Sequence, residues 1–250
     1  MTPSHLSTLT FVRKLGGTFA ARLFSAPDGS CLVVKAGDED GHTQEEVTAD
    51  ALYRSALLDA PESWYVEDGD DILWRGISDH ERRGRKGWRV SRYVRGITLD
   101  RFVRRAKPEA TKRIYGKLRA GLAMDLLLGN IDVIGHSSKN VVVCSEDRVW
   151  RVDNGGALRW TPCQGLKQWE WRPSIWEMEA WLRRPTHLLV FGEVTAETLL
   201  AQARGIEASG ILAAAPREVR DMLEARLTWF MENGLDGWNA TRKAAKLLNL

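Results

Sequence analysis

Residues 125–143 read "DLLLGNIDVIGHSSKNVVV". Two apolar runs enclose a short loop rich in Gly and Ser, in which Asp132 and Asn140 stand eight positions apart. Just downstream, "RVDNGGAL" (151–158) sets a second carboxylate, Asp153, at the end of a strand-like segment. "NVVVC" and "RVWRVD", separated by "SED", read as a hairpin. Taken singly, each polar residue fits an ordinary solvated turn. Taken together they suit phosphoryl transfer, which needs a carboxylate near the attacking hydroxyl and oxygen ligands for Mg²⁺. Asp132 can supply the first, and Asn140 and Asp153 the second.

Working outward, the region before this loop is rich in strand signals. "LTFVRKL" (9–15), "FAARLFS" (19–25) and "SCLVVKA" (30–36) read as an antiparallel meander, with "PDG" as a turn. Between the first two strands lies "GGT" (16–18), where Gly16, Gly17 and Thr18 allow close backbone approach to phosphate. Lys35 ends the apolar run "CLVVK" and can bring an ammonium to phosphate. A helix is expected over Glu45–Leu58, ended by Pro61. Glu46, near its start, can hold Lys35 in place; Glu45 can serve instead. "SWYVE", "DILW" and "WRVSRYV" read as further strands, and "RGIT" as a connector.

After the connector the chain is mainly helical. Pro108 suits the first turn of a long helix, and Ile114, Leu118, Leu122 and Leu126 form one buried stripe along it. Gly129 is a C-terminal cap. Thr195 caps a helix running to Gln202, Pro216 opens another that ends at Asn233–Gly234, and a last helix covers 239–248. The expected fold is α+β and two-lobed: a small β-rich lobe over residues 1–95 and a mainly helical lobe over 96–250, with a cleft at the connector.

The series "GGTFAARLF", "LVVK", "EEVTADALY", "SRYVRGITL", "DLLLGNIDVIGHSSKNVVV" and "RVDNGGAL" resembles the atypical protein-kinase-like superfamily. It looks closest to the branch of HipA-like kinases, actin-fragmin kinase and phosphoinositide kinases. The resemblance implies an ATP- and Mg²⁺-dependent kinase, with a protein Ser/Thr hydroxyl as acceptor; the alternatives are a small-molecule or lipid kinase and a pseudokinase that binds nucleotide without turnover. It also implies that Gly16, Gly17 and Thr18 lie over the phosphates, that Lys35 contacts them and pairs with Glu46, and that Arg92, Tyr93 and Val94 face the adenine. Asp132 would be the catalytic Asp, and Asn140 and Asp153 the metal ligands, with Asp125 and Asn130 bracing the loop. The step from Asp132 to Asn140 is longer than in those kinases, and the glycine loop lacks a full G-x-G-x-x-G pattern.

Composition sets outer limits. The 250 residues are 44% hydrophobic, enough for a substantial core, and the formal net charge of +3 demands no nucleic acid. Cys31, Cys144 and Cys163 are widely spaced, so neither a disulfide framework nor a zinc cluster is expected. No apolar run approaches a membrane span. The polar opening "MTPSHLSTLTFVRKL" lacks a secretory signal, and a cytoplasmic location is expected. His136 reads as a solvated loop residue, and the basic run 80–89 as a solvated connector. Six of the 11 Trp lie between Trp150 and Trp181, as core of the helical lobe with part available as a substrate platform.

Overall fold

The computed structural model describes residues 3–15, 21–37, 41–67, 73, 87–135, 137–161, 166–167, 171–175 and 177–247. Strands β1 (Thr10–Lys14), β2 (Arg22–Ser25), β3 (Cys31–Ala36), β4 (Ser63–Val66) and β5 (Trp88–Arg92) form an antiparallel sheet ordered β1-β2-β3-β5-β4. Alternation gives this sheet two unlike faces. Leu32, Val34, Ala36, Trp88 and Val90 lie on one, covered by Leu6, Leu9 and Leu73. The other face carries Lys35 opposite Arg89 and Ser63 opposite Ser91, all buried. Helix α1 (His42–Ser55) packs on this polar face and presents Glu46 and Asp50 to it. Its apolar side, with Ala49, Leu52 and Tyr53, joins the core of the helical lobe.

Helix α1 begins at His42, so Glu46 lies in its second turn rather than at its start. It stops at Ser55, well short of Pro61, because Leu57 turns into the left-handed region (φ 58°) and the Leu58 N–H returns to Tyr53 O. Of "DILW", only Leu73 is among the described residues; the strand expected there lies outside them. The expected connector "RGIT" contains strand β6 (Ile97–Thr98), which pairs with β7 (Val141–Val143), itself paired with β8 (Val149–Arg151).

Helix α2 (Leu99–Val103) leads to α3 (Pro108–Arg119) and α4 (Leu122–Leu127). The single long helix expected here is therefore two. Ile114, Leu118, Leu122 and Leu126 are all fully buried, but the chain bends at Ala120–Gly121. Gly121 sits against the buried Arg151 guanidinium, where a Cβ would lie 2.5 Å from Nη2. Beyond α5 (Glu177–Trp181) and α6 (Pro185–Phe191), Thr195 does cap α7 (Ala196–Ser209), its hydroxyl accepting from the Thr198 N–H at 3.2 Å. Helix α7 continues past Gln202 to the left-handed Gly210. The two C-terminal helices expected from Gly234 are one, α8 (Arg217–Leu247). Gly234 and Gly237 stay helical where α8 packs closely, and a Cβ on Gly237 would meet Met178 Sδ at 3.3 Å. Nearby, the buried Trp238 indole donates to Val194 O at 2.8 Å. Among the described residues no helix is long and apolar enough to cross a membrane.

Candidate active site

Lys35 bridges the cleft between the sheet and the helical lobe. Lys35 Nζ reaches Glu46 Oε2 at 3.0 Å and Asp153 Oδ1 at 2.9 Å. Burial opposes a charged Lys35, yet Asp153 and Glu46 hold its ammonium above the ordinary lysine range. Burial likewise opposes ionisation of Asp153, but Lys35 and the Gly155 N–H keep its carboxyl below the ordinary range. The Asp153 side chain is 49% exposed, so the pair is open to a ligand on one side. Gly155 keeps the approach clear, since a Cβ there would stand 3.0 Å from Lys35 Nζ.

Beside this cluster, on the helical-lobe side, lies the loop from Asp132 to Asn140, with Asn140 O accepting from the Val152 N–H at 2.9 Å. Its extra residues fold into consecutive turns, with the Gly135 N–H donating to Asp132 O and the Ser138 N–H to Gly135 O. The ends of the loop therefore stay together: Asn140 Nδ2 donates to Asp132 O at 2.9 Å and Asp132 Oδ2 at 3.0 Å. Gly135, at φ 75°, packs against this amide with no room for a side chain. Both oxygens hold Nδ2, which leaves Asn140 Oδ1 as the atom able to coordinate a cation. Burial and the nearby Asp153 raise the Asp132 carboxyl above its ordinary range, against the opposing charge of Arg184. Arg184 Nη1 donates to Ile131 O at 2.7 Å and approaches Asp132 Oδ1 at 3.3 Å.

A chain of buried polar contacts runs behind these groups and ties the lobes together. Arg89 reaches Glu46 at 3.5 Å and Asp50 Oδ2 at 2.6 Å; Asp50 also accepts from Ser63 and from Asn154 Nδ2. Asn130 Nδ2 donates to Asn154 Oδ1 at 3.0 Å and to Tyr53 Oη at 3.1 Å. Tyr53 donates to Asp125, whose two oxygens take the Arg151 fork. Each buried charge is thus matched and hydrogen-bonded, the condition under which such groups are tolerated.

The segment after Asp153 is strapped to the same elements. His42 Nε2 lies 3.0 Å from Gly155 O, and its ring meets Trp160 edge-on. Glu45 accepts from the Arg159 N–H at 3.0 Å and pairs with its guanidinium. Glu45 therefore faces Arg159, while its neighbour Glu46 faces Lys35. Lys167 donates to Gly129 O at 2.8 Å and to Leu158 O; burial pushes its ammonium down to about 7 despite Glu177.

The structure brings Lys35, Glu46 and Asp153 into one cluster and Asp132 and Asn140 into another beside it. Arg92 turns away to Glu62 at 2.7 Å, and the Tyr93 N–H donates to Cys31 O. With Val94, these two line a groove of about 380 Å³ together with Arg54, which shares helix α1 with Glu46, and with Arg148 and Trp150. Gly16, Gly17, Thr18 and His136 lie outside the described residues, as do residues 80–86 of the basic run. Of the Trp-rich segment, Trp160 and Trp181 are buried and Trp171 is half-buried. Sequence reasoning missed Arg184, Arg89, Asp50 and Asn154. Asn154 alone carried a local signal, standing next to Asp153.

A five-stranded antiparallel sheet, one helix carrying a Glu against a strand Lys, and a helical lobe with an Asp–Asn loop ahead of an Asp-tipped hairpin define a two-lobed, protein-kinase-like α+β fold. Comparison with one solved structure agrees. The Helicobacter pylori proinflammatory kinase CtkA aligns with a TM-score of 0.50 at 12% identity, over 97% of each chain. A Leishmania major MAP kinase, LmaMPK10, aligns at a TM-score of 0.38 and 12% identity, over 88% of this chain and 70% of that one. No family model and no curated protein matches the sequence. At this identity the likeness to CtkA shows the fold.

Proposed function

We propose that the chain is an ATP- and Mg²⁺-dependent phosphotransferase of the atypical branch, acting on a Ser or Thr hydroxyl of a protein. The observation that carries this reading is the double engagement of Lys35 by Glu46 and Asp153, with Asp132 and Asn140 joined to each other beside it. Glu46 keeps the ammonium directed into the cleft, where it can neutralise phosphate. The half-buried Val33 lies two residues before Lys35 on the same face of β3 and offers an apolar surface for a base. Asp153 and Asn140 Oδ1 suit Mg²⁺, which takes one or two protein oxygens and fills its remaining positions with phosphate and water. Bound there, the ion would supply charge neutralisation at the phosphates. Asp132 orients the acceptor hydroxyl and takes its proton. Free Cys31 and Cys144 fit a reducing, cytoplasmic setting.

Transfer of radiolabel from γ-labelled ATP to protein in a lysate, or to the chain itself, tests this reading. Wild type should transfer label, and Asp132→Ala should lose about 10²-fold or more of the rate. Transfer to small molecules or lipids alone would move the acceptor class. A second reading is nucleotide binding without turnover. It is favoured by the sharing of the Asp132 carboxylate between Asn140 and Arg184, and it predicts bound nucleotide with no label transferred.

A further inference from the structure

Resting on the phosphotransfer reading, we infer that Arg184 is a catalytic residue that binds the oxygens of the phosphoryl group in flight. Arg184 precedes Pro185, which holds it extended at φ −88° and ψ 122°. Among the described residues its guanidinium is anchored through Nη1. The 2.7 Å bond to Ile131 O is firm, whereas 3.3 Å to Asp132 Oδ1 is long for a charge-assisted bond. Nε and Nη2 have no partner among the described residues, and the side chain is 42% exposed beside an Asp132 that is 21% exposed. An anchored guanidinium with an open pair of donors is suited to bidentate binding of phosphate oxygens.

Charge places the same demand. Lys35 is engaged on the nucleotide side by Glu46 and Asp153. Among the described residues, the cation that reaches the Asp132 carboxylate is Arg184, at 3.3 Å. In transfer the acceptor oxygen bonds to phosphorus, its proton passes to Asp132, and the bond to the β-phosphate bridging oxygen breaks, leaving its electron pair on the nucleoside diphosphate. The phosphoryl group thus moves from the Lys35 side to the Asp132 side, where Arg184 meets it. A simple tether for the loop would use only Nη1 and would leave the other donors without a task.

The test is calorimetric titration of ADP with Mg²⁺, with and without aluminium fluoride as a mimic of the transferring phosphoryl group. Wild type, Arg184→Gln and Arg184→Lys are compared, with thermal unfolding as a check on folding. Wild type should bind ADP more tightly with the fluoride. Arg184→Gln should bind ADP alone as wild type does and lose the gain by about 10²-fold, the usual cost of removing a transition-state donor. Arg184→Lys, which can keep the tether but not the fork, should recover only part of it. Full gain in Arg184→Gln overturns the inference, as does a wild type that binds ADP but gains nothing from fluoride. Should Arg184→Gln fail to fold, full gain in Arg184→Lys overturns it and partial gain supports it. A wild type that binds no nucleotide overturns the phosphotransfer reading itself, and this role with it.

Discussion

Asp132 is held between opposing influences, and its titration reports on both. Burial and Asp153 raise its carboxyl above the ordinary range of about 3.9, while Arg184 pulls it back down. The ionised form accepts the hydroxyl proton, so kcat should fall as pH drops through this raised value. Removing the Arg184 charge should move that acid limb to higher pH. A pH profile of kcat for wild type and Arg184→Gln measures both; an unmoved limb would mean that Arg184 does not act on Asp132. At this scale the sequence was informative where chemistry is local. Asp132, Asn140 and Asp153 share one short stretch with a hairpin between them. Arg184 contacts Asp132 from 52 positions away and looks like any arginine before a proline. Glu45 and Glu46 could not be separated by pattern, because adjacent helix positions both lie near the sheet and only the fold directs one to Arg159 and the other to Lys35.

The elements behave as their contacts require, and two glycines five positions apart, Gly116 and Gly121, separate the causes. Gly121 marks the bend between α3 and α4, where a Cβ would stand 2.5 Å from Arg151 Nη2 and 2.9 Å from Leu58 Cδ1. Arg151 is held by Asp125 and Leu118 O and has nowhere to go. Gly121→Ala should therefore cost about 1–3 kcal/mol by overpacking. At Gly116, within α3, an added methyl would meet nothing within 4 Å, and Gly116→Ala should gain about 0.5–1 kcal/mol from lower chain entropy. Urea denaturation distinguishes them, and equal effects would contradict this account of the bend. The apolar stripe across α3 and α4 was legible from spacing because both helices bury the same side. The break was not, since it depends on an arginine arriving from β8. In α8 the reverse holds: Gly234 reads as a stop but stays helical and buried, with the Phe230 ring of the same helix 3.1 Å from where a Cβ would stand.

For the molecule as a whole, the buried polar chain from Lys35 to Arg151 couples the sheet to the helical lobe. Asp50 is its centre: fully buried, it pairs with Arg89 and receives Ser63 and Asn154. Asp50→Ala leaves Arg89 buried without its main counter-charge and should destabilise the fold by about 3–5 kcal/mol. A loss below about 1 kcal/mol in denaturant titration would show that water or other groups replace Asp50. The two-lobed outline was legible because strand and helix signals separate along the chain, whereas this polar seam was not, its members being spread from Lys35 to Asn154. The central claim is that the seam holds a nucleotide site, and one measurement addresses it most directly. Calorimetric titration with a non-hydrolysable ATP analogue, with and without Mg²⁺, compares wild type with Asp153→Ala. The account predicts binding by wild type that strengthens with Mg²⁺ and a Mg²⁺ effect that Asp153→Ala abolishes; no binding by wild type under either condition would contradict it.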